Sequence, residues 1–327
     1  MRISQLILPF LLIQFSAWSK QATGQGGAVQ AAPKRSQYDS VLVTGGVVQY
    51  RTKGNGVAVV LLSGGPGYSG DFLAPIYEHL VERARPILLD QRGTGRSFEF
   101  NDSASFTLRN AVEDIEKVRE QAGADRIVLL GHSWGGALAM AYAARYPSRI
   151  AGLVLVGSAG LSNIPTTNAQ ISERLRARLR KIDTDSIKML SALVGNPARG
   201  DSALRRIRLL NWKAYMYDRA NVRKLAARLT PESYNPQTAR WMFRDLLLSG
   251  PAVAAVYDSA GPAMLRIPVM IVYGEVDPIG GTTAAELRAR FPKAVMSVIP
   301  HSGHHPWVEA PKGFYHVLDT FLRGVSP

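Results

Sequence analysis

The chain of 327 residues contains no cysteine. It therefore forms no disulfide and carries no lipid on cysteine, although this absence does not by itself fix the compartment. The sequence also has no Walker-type phosphate loop, no H-E-x-x-H metal motif and no internal repeat. These absences argue against a P-loop nucleotide enzyme, a zinc protease of that type and a repeat protein.

Apolar runs long enough to cross a membrane are missing as well. The run Ile3–Phe15 is shorter than the roughly 20 residues that a spanning helix needs. It follows Arg2 and precedes Ala17-Trp18-Ser19, a small-residue cleavage pattern. We predict a signal peptide over residues 1–19, a flexible leader over 20–37 and a secreted or periplasmic protein. An uncleaved anchor is the alternative.

Acidic residues are scarcer than basic ones, 25 against 39, and the net charge is +14. No basic recognition motif accompanies this excess, so we predict no nucleic-acid partner. Residues 161–262 hold 17 Lys and Arg against 8 Asp and Glu. A solvated helical face is the ordinary interpretation of such a segment. The alternative is attraction of anionic substrates, or loose attraction to an anionic surface. The sequence leaves the oligomeric state open.

The apolar pattern predicts an α/β fold. Hydrophobic residues make up 46% of the chain, enough for one large core and a cap. Runs typical of buried strands alternate with amphipathic stretches, which indicates parallel βαβ units. The segment Val41–Tyr50, with two glycines in its middle, predicts an antiparallel hairpin at the start of the sheet. We expect a mostly parallel central sheet flanked by helices, with a core over 38–160 and 263–327 and an inserted helical cap over 161–262.

Residues 131–136 read Gly-His-Ser-Trp-Gly-Gly, between the apolar run Arg126–Leu130 and the helix-prone run Ala137–Arg145. The pattern G-x-S-x-G between a strand and a helix is typical of a nucleophile elbow, whose apex here is Ser133. The glycines let chain and helix approach closely around a strained turn. The alternative is a glycine-rich turn with an idle serine.

A serine hydroxyl is a weak nucleophile unless a base activates it, and that base needs an orienting carboxylate. In an elbow architecture the acid and then the histidine follow the serine along the chain. Asp277 follows the strand-like run Ile267–Tyr273, and His304 follows the run Ala294–Ile299. We predict that Ser133, Asp277 and His304 form a catalytic triad.

Several neighbours compete for these roles. His304 is preferred as the base because the glycine before it permits a bend. His305 is the second candidate and His301 the third, while Glu275 is the alternative to Asp277. A three-histidine metal site is a further alternative, but no ligand-spaced acid pattern accompanies the cluster. We therefore predict no metal and no organic cofactor.

A second glycine-rich loop could hold the oxyanion. The strand-like run Val57–Leu62 leads into Ser63-Gly64-Gly65-Pro66-Gly67. We predict the backbone N–H of Gly65 as one donor and that of Trp134, the residue after the nucleophile, as the other. The alternative is an ordinary turn of small residues.

The elbow, the Ser63–Gly67 loop and the segment Asp90-Gln91-Arg92-Gly93-Thr94-Gly95-Arg96-Ser97 together resemble the α/β-hydrolase superfamily. They are most similar to its prolyl aminopeptidase (proline iminopeptidase) group of serine peptidases. The resemblance implies the triad named above. Ser63 stands where the family loop usually has a histidine. The family's peptidases also use acidic cap residues to hold the free amino terminus of the substrate.

We expect the segment 161–262 to form a helical cap that meets such a substrate. Four apolar residues at helical spacing, Ile171, Leu175, Leu179 and Ile182, predict one helix of this cap. A cap above the carboxyl edge of the sheet would exclude water and shape the pocket.

An aromatic patch in the cap offers candidate substrate contacts. Trp212 and Tyr217 are candidates for the pocket wall, with packing between helices as the alternative. Asp218 and Glu232 are candidates for holding an amino group, and Asp245 is considered beside them. Each of these carboxylates is otherwise an ordinary surface group.

The resemblance implies a serine hydrolase that works through an acyl-enzyme on a small peptide or ester. We predict first an aminopeptidase that releases N-terminal proline or another small residue. The alternatives are a carboxylesterase or lactonase on small esters, and a non-catalytic binding protein that kept the fold. A serine at the elbow argues against dehalogenase and epoxide-hydrolase chemistry, which uses an aspartate there.

Overall fold

The computed structural model describes residues 38–100, 102–160, 164–196, 199–259 and 266–325. The predicted signal peptide and leader lie outside these ranges. Among the described residues, no helix combines the length and apolar character that crossing a membrane requires.

Eight strands form one sheet in the order β1-β2-β4-β3-β5-β6-β7-β8. They are β1 (Asp39–Val43), β2 (Gly46–Thr52), β3 (Ala58–Leu62), β4 (Arg85–Asp90), β5 (Ile127–His132), β6 (Ile150–Val156), β7 (Val269–Gly274) and β8 (Val295–Ile299). Strand β2 is antiparallel to β1 and β4, and the other neighbouring pairs are parallel. The predicted mostly parallel sheet is confirmed.

Helices follow the strands in an alternating order. They are α1 (Ala74–Leu80), α2 (Leu108–Gln121), α3 (Trp134–Arg145), α4 (Ile164–Arg178), α5 (Lys181–Ser191), α6 (Gly200–Trp212), α7 (Val222–Ala226), α8 (Pro236–Ser259), α9 (Gly280–Arg290), α10 (Pro306–Glu309) and α11 (Pro311–Arg323). Helices α4 to α8 all lie between β6 and β7 in the chain, and we call this stretch the helical insertion.

The central strands are buried on both faces because helices cover both sides of the parallel sheet. Side chains of β5 alternate between two apolar clusters. Leu129 packs with residues of α2 and α3 on one face. Leu130 packs with residues of α1 and α11 on the other. This two-sided core fixes the carboxyl ends of β5 and β7, which Ser133 and Asp277 follow. Strand β8 pairs with β7 at the edge of the sheet and precedes His304.

The prediction of the first helix of the insertion is wrong at its carboxyl end. The structure breaks it into α4 and α5, and Ile182 is 70% exposed. Arg180 between the two helices is extended. The buried carboxylate of Asp183 accepts a hydrogen bond from Lys213 Nζ at 2.8 Å and also pairs with Arg219. These partners come from a later part of the insertion, so a local pattern does not show them.

Candidate active site

The turn after β5 has the shape of a nucleophile elbow. Ser133 lies between β5 and α3 with φ 54° and ψ −117°, a strained conformation for a residue with a side chain. A Cβ on Gly131 would overlap the carbonyl oxygen of Gly135. A Cβ on Gly135 would overlap the carbonyl oxygen of Leu62 in β3. Both glycines are therefore needed for the close approach of strand and helix.

Asp277 and His304 form a buried pair beside this turn. His304 Nδ1 lies 3.0 Å from each carboxylate oxygen of Asp277. The carboxylate also accepts a hydrogen bond from the backbone N–H of Ile279 at 2.9 Å. The backbone N–H of His304 donates to the carbonyl of Tyr215 at 2.8 Å. With Nδ1–H donated to the carboxylate, Nε2 is the nitrogen that can accept a proton.

Gly157, directly after β6, leaves room for this pair. Its φ is +52°. A Cβ built there would lie 2.7 Å from His304 Nδ1 and 2.8 Å from Asp277 Oδ2. A side chain at this position would displace the imidazole or the carboxylate. The glycine is therefore part of the geometry of the pair.

The competing side chains have other contacts, although the ring of His305 also packs edge-on against His304, with ring centres 5.1 Å apart. Glu275 accepts a hydrogen bond from the backbone N–H of His301 at 2.9 Å. The exposed ring of His301 packs edge-on against Tyr217. The buried ring of His305 packs against Phe72 and against the indole of Trp307 in α10. Among the described residues, no group of three or more histidines, cysteines or carboxylates is arranged to hold a metal ion.

Two buried histidines next to the pair stay neutral. Burial lowers the pKa of His132 and of His305 well below the ordinary value, and the nearby His304 lowers it further. His132 Nε2 lies 3.0 Å from the carbonyl oxygen of His304, and a neutral ring can donate this hydrogen bond. His132 therefore helps to fix the backbone of His304.

The loop after β3 reaches the elbow from the other side. Gly65 has φ +117°, and a Cβ on Gly64 would lie 3.1 Å from the Cβ of Ser133. The N–H of Trp134 lies in the first turn of α3, where backbone donors have no helical acceptor. Gly65 lines the same pocket as Ser133, and Trp134 follows Ser133 directly in the chain, so both predicted donors lie near this turn.

One side chain that the sequence analysis did not single out joins these two donor segments. Gln91 Nε2 donates to the carbonyl oxygen of Ser63 at 2.8 Å and lies 3.1 Å from its hydroxyl oxygen. Gln91 Oε1 accepts from the indole Nε1 of Trp134 at 3.2 Å. The hydroxyl of Ser63 donates to the carbonyl of Tyr68 at 2.6 Å. Gln91 lies within the D-Q-R-G-x-G-x-S segment, which was the signal available in the sequence.

Ser133 and His304 both line one pocket of about 150 Å³. The helical insertion supplies most of its outer wall, including Trp212, which was predicted there. Aromatic and imidazole rings make up most of the lining that lies outside the insertion. Among the described residues that line the pocket there is no Asp or Glu, and Arg208 is the permanently charged side chain. No sequence motif identified these lining residues of the insertion.

The other predicted substrate contacts lie elsewhere. Tyr217 is 45% exposed and outside the pocket lining. Asp218 accepts a hydrogen bond from the backbone N–H two residues later and caps a short 3₁₀ turn. Glu232 is exposed in a second 3₁₀ turn. Asp245 accepts from the backbone N–H of Leu108 at 2.8 Å, at the start of α2.

A family model described as alpha/beta hydrolase fold matches residues 57–311. The proline iminopeptidase of Saccharolobus solfataricus is 44% identical over 119 residues, which are 36% of this chain and 38% of that protein. The match therefore spans well under half of that relative. The proline iminopeptidase of Heyndrickxia coagulans is 25% identical over 297 residues, 86% of this chain and 97% of that protein.

The crystal structure of a proline iminopeptidase from Mycobacterium smegmatis superposes with a TM-score of 0.60 at 21% identity. The superposition covers 88% of this chain and 98% of that one. At this identity the likeness shows the fold.

Proposed function

The chain belongs to the alpha/beta hydrolase fold family, and from that premise we propose that it is a serine hydrolase with Ser133 as nucleophile. One observation carries the proposal. A buried Asp277–His304 pair, joined at 3.0 Å, lies at the pocket that the strained Ser133 also lines. A serine, a histidine and an orienting carboxylate at one pocket are the parts that nucleophilic acyl transfer needs.

The proposed reaction follows from this arrangement. Ser133 Oγ attacks the carbonyl carbon of the substrate while its proton passes to His304 Nε2. Asp277 holds Nδ1–H and stabilises the imidazolium. The N–H groups of Gly65 and Trp134 donate to the oxyanion. The imidazolium then protonates the leaving group, and an acyl-enzyme remains. A water molecule, deprotonated by His304, releases the acid and restores the serine.

The leaving group distinguishes two candidate activities. The names of the relatives support an aminopeptidase acting on N-terminal proline, as the resemblance implied. Such a substrate brings a cationic amine into the site, where a carboxylate normally has to face it. The described lining offers none, and Asp218 and Glu232 lie elsewhere. That observation favours the second candidate, an esterase on small esters.

A pair of substrates tests both candidates on the whole chain. An esterase cleaves a p-nitrophenyl ester of a short acid faster than the p-nitroanilide of unprotected proline. An aminopeptidase shows the reverse order and loses the anilide when the proline nitrogen is acylated. Loss of turnover in Ser133→Ala is expected in either case. Turnover that survives Ser133→Ala would contradict the proposed chemistry itself.

Export of the protein is a separate proposal, supported by the predicted signal peptide over residues 1–19. We propose that the mature chain begins after about Ser19. Amino-terminal sequencing of protein expressed from the full chain tests this. A mature chain that begins at Met1 would contradict it.

A further inference from the structure

Arg208, on α6, lies at the wall of the proposed substrate pocket. It lines the pocket that holds Ser133 and His304, and it also lines an adjoining cavity of about 260 Å³. Its guanidinium carbon lies 4.7 Å from the ring centre of Tyr234. The side chain is only partly exposed. A fixed positive charge therefore lies within an aromatic-walled site.

Among the described residues, this half-buried charge has no carboxylate partner of the kind that a fully buried arginine has. Arg92, the most buried of the described arginines, forms an ion pair with Asp114 at 2.6 Å. Within the described part of the chain, no carboxylate forms an ion pair with Arg208. Because Arg208 is partly shielded from water, an anionic ligand that displaces the remaining water would supply a counter-charge in its place. A guanidinium also matches a carboxylate through two parallel hydrogen bonds.

This positive charge faces the ring of Tyr234, and no anionic group among the described lining residues balances it. Burial raises the pKa of Tyr234 to about 12 and raises that of Tyr68 as well. Both phenols are therefore neutral at physiological pH. His132 and His305 are neutral for the reason given above. The described lining thus presents a cation, surrounded by neutral rings, to an anionic group of a substrate. It presents no group of opposite charge to a cationic group of a substrate.

We propose that the substrate carries a carboxylate in its acyl part, and that Arg208 binds this carboxylate while the scissile carbonyl lies at Ser133. The inference rests on the proposed serine hydrolase activity and narrows its substrate class to half-esters of short dicarboxylic acids. Because Arg208 and Ser133 line the same pocket, a single acyl chain can place its two ends at these two residues.

The test compares monoethyl esters of straight dicarboxylic acids with ethyl esters of neutral acids of equal carbon number. Acid release by the whole chain is followed chromatographically, with Ser133→Ala as the blank. We expect kcat/KM to be at least about tenfold higher for the half-ester of the best length, as a charge-assisted hydrogen bond allows. An amino-acid ethyl ester, which presents a cation, should be the poorest substrate.

Variants of two neighbouring arginines on α6 locate the effect. Arg208→Met should lower the half-ester preference at least about tenfold, and Arg208→Lys should keep part of it. Arg205→Met is the matched control. It removes the same charge three residues earlier, from an exposed side chain that lines only the adjoining cavity. The control should keep the wild-type preference.

Each possible outcome either supports or overturns a stated claim. Equal kcat/KM for half-esters and neutral esters in the wild-type protein overturns the inference and leaves the serine hydrolase intact. An equal drop in Arg205→Met and Arg208→Met assigns the preference to general charge attraction and overturns the role of Arg208. If Arg208→Met does not fold, Arg208→Lys and the wild-type ratio still decide. No turnover of any ester, with Ser133 unreactive, would refute the proposed function instead.

Discussion

The clearest single perturbation is at Gln91, which links the two segments that carry the proposed oxyanion donors. Gln91 is 8% exposed, and its side-chain amide bonds to both Ser63 and the indole of Trp134. Gln91→Leu keeps the bulk of the side chain and removes these hydrogen bonds. The Ser63 carbonyl and the indole N–H then lose their partner in a buried site.

The expected size of the effect follows from those contacts. Leaving two buried polar groups unpaired costs about 1–3 kcal/mol each, so we expect a loss of stability of about 2–6 kcal/mol. Losing a whole oxyanion donor costs roughly 3–4 kcal/mol of transition-state stabilisation. A displaced donor loses only part of this. We expect about 1–2 kcal/mol, which is a decrease of roughly 5- to 30-fold in kcat with little change in KM.

The assay measures kcat and KM on a p-nitrophenyl ester, together with urea unfolding. Arg92→Met is the matched control. Arg92 is the next residue, but its guanidinium pairs with Asp114 on α2 and not with the donor loop. Breaking this buried pair should cost about 3–5 kcal/mol of stability and leave kcat per folded molecule near the wild-type value. The role of Gln91 in holding the donor segments is refuted if Gln91→Leu loses stability but keeps kcat, or if both variants lose kcat equally.

Three further predictions concern neighbouring features. Gly157→Ala should lower kcat by at least about a hundredfold by separating the His304–Asp277 pair. Gly123→Ala is the control, since Gly123 has a similar positive φ of +61° but no atom within 4 Å of an added Cβ, and it should keep kcat. Equal losses of kcat in the two variants would contradict this role of Gly157. Because the pKa of His305 is depressed below 6.5 on folding, its contribution to stability is present above that pH and is lost as the pH falls. Between about pH 7.5 and pH 5.5 the wild type should lose about 1.4 kcal/mol more than His305→Phe in urea unfolding, and parallel curves would disprove the assignment. If the basic insertion attracts anionic substrates, raising the salt from about 50 to about 500 mM should lower kcat/KM for a half-ester and not for a neutral ester; no difference would exclude it.

The parts of the molecule that the sequence predicts well are those set by local sterics. The buried runs became strands β3 to β7, since only helices on both faces can cover such continuous apolar segments. The last apolar run became β8 at the edge of the sheet, where Val295 and Val298 are exposed. The turn at Ser133 required glycines on either side, and the geometry shows the overlaps that larger residues would cause there. Asp277 and His304 follow strand ends, and parallel strands bring their carboxyl ends to one edge.

The parts that the sequence did not predict depend on contacts between distant segments. The helical pattern through Ile182 ended early because Asp183 pairs with residues about 30 positions later. The placement of Tyr217 outside the pocket and of Arg208 at its wall depends on how the insertion docks on the core. Gln91 was visible within a motif, but its bonds to two loops are a property of the folded chain.

The most direct test of the proposed triad is labelling of the folded protein with a fluorophosphonate, followed by mass spectrometry of the modified peptide and measurement of the labelling rate. We predict one adduct, on Ser133. The rate should fall by at least about a hundredfold in His304→Ala and stay within a few-fold in His305→Phe. An adduct on another residue, no adduct, or an equal loss of rate in both histidine variants would contradict the proposed site.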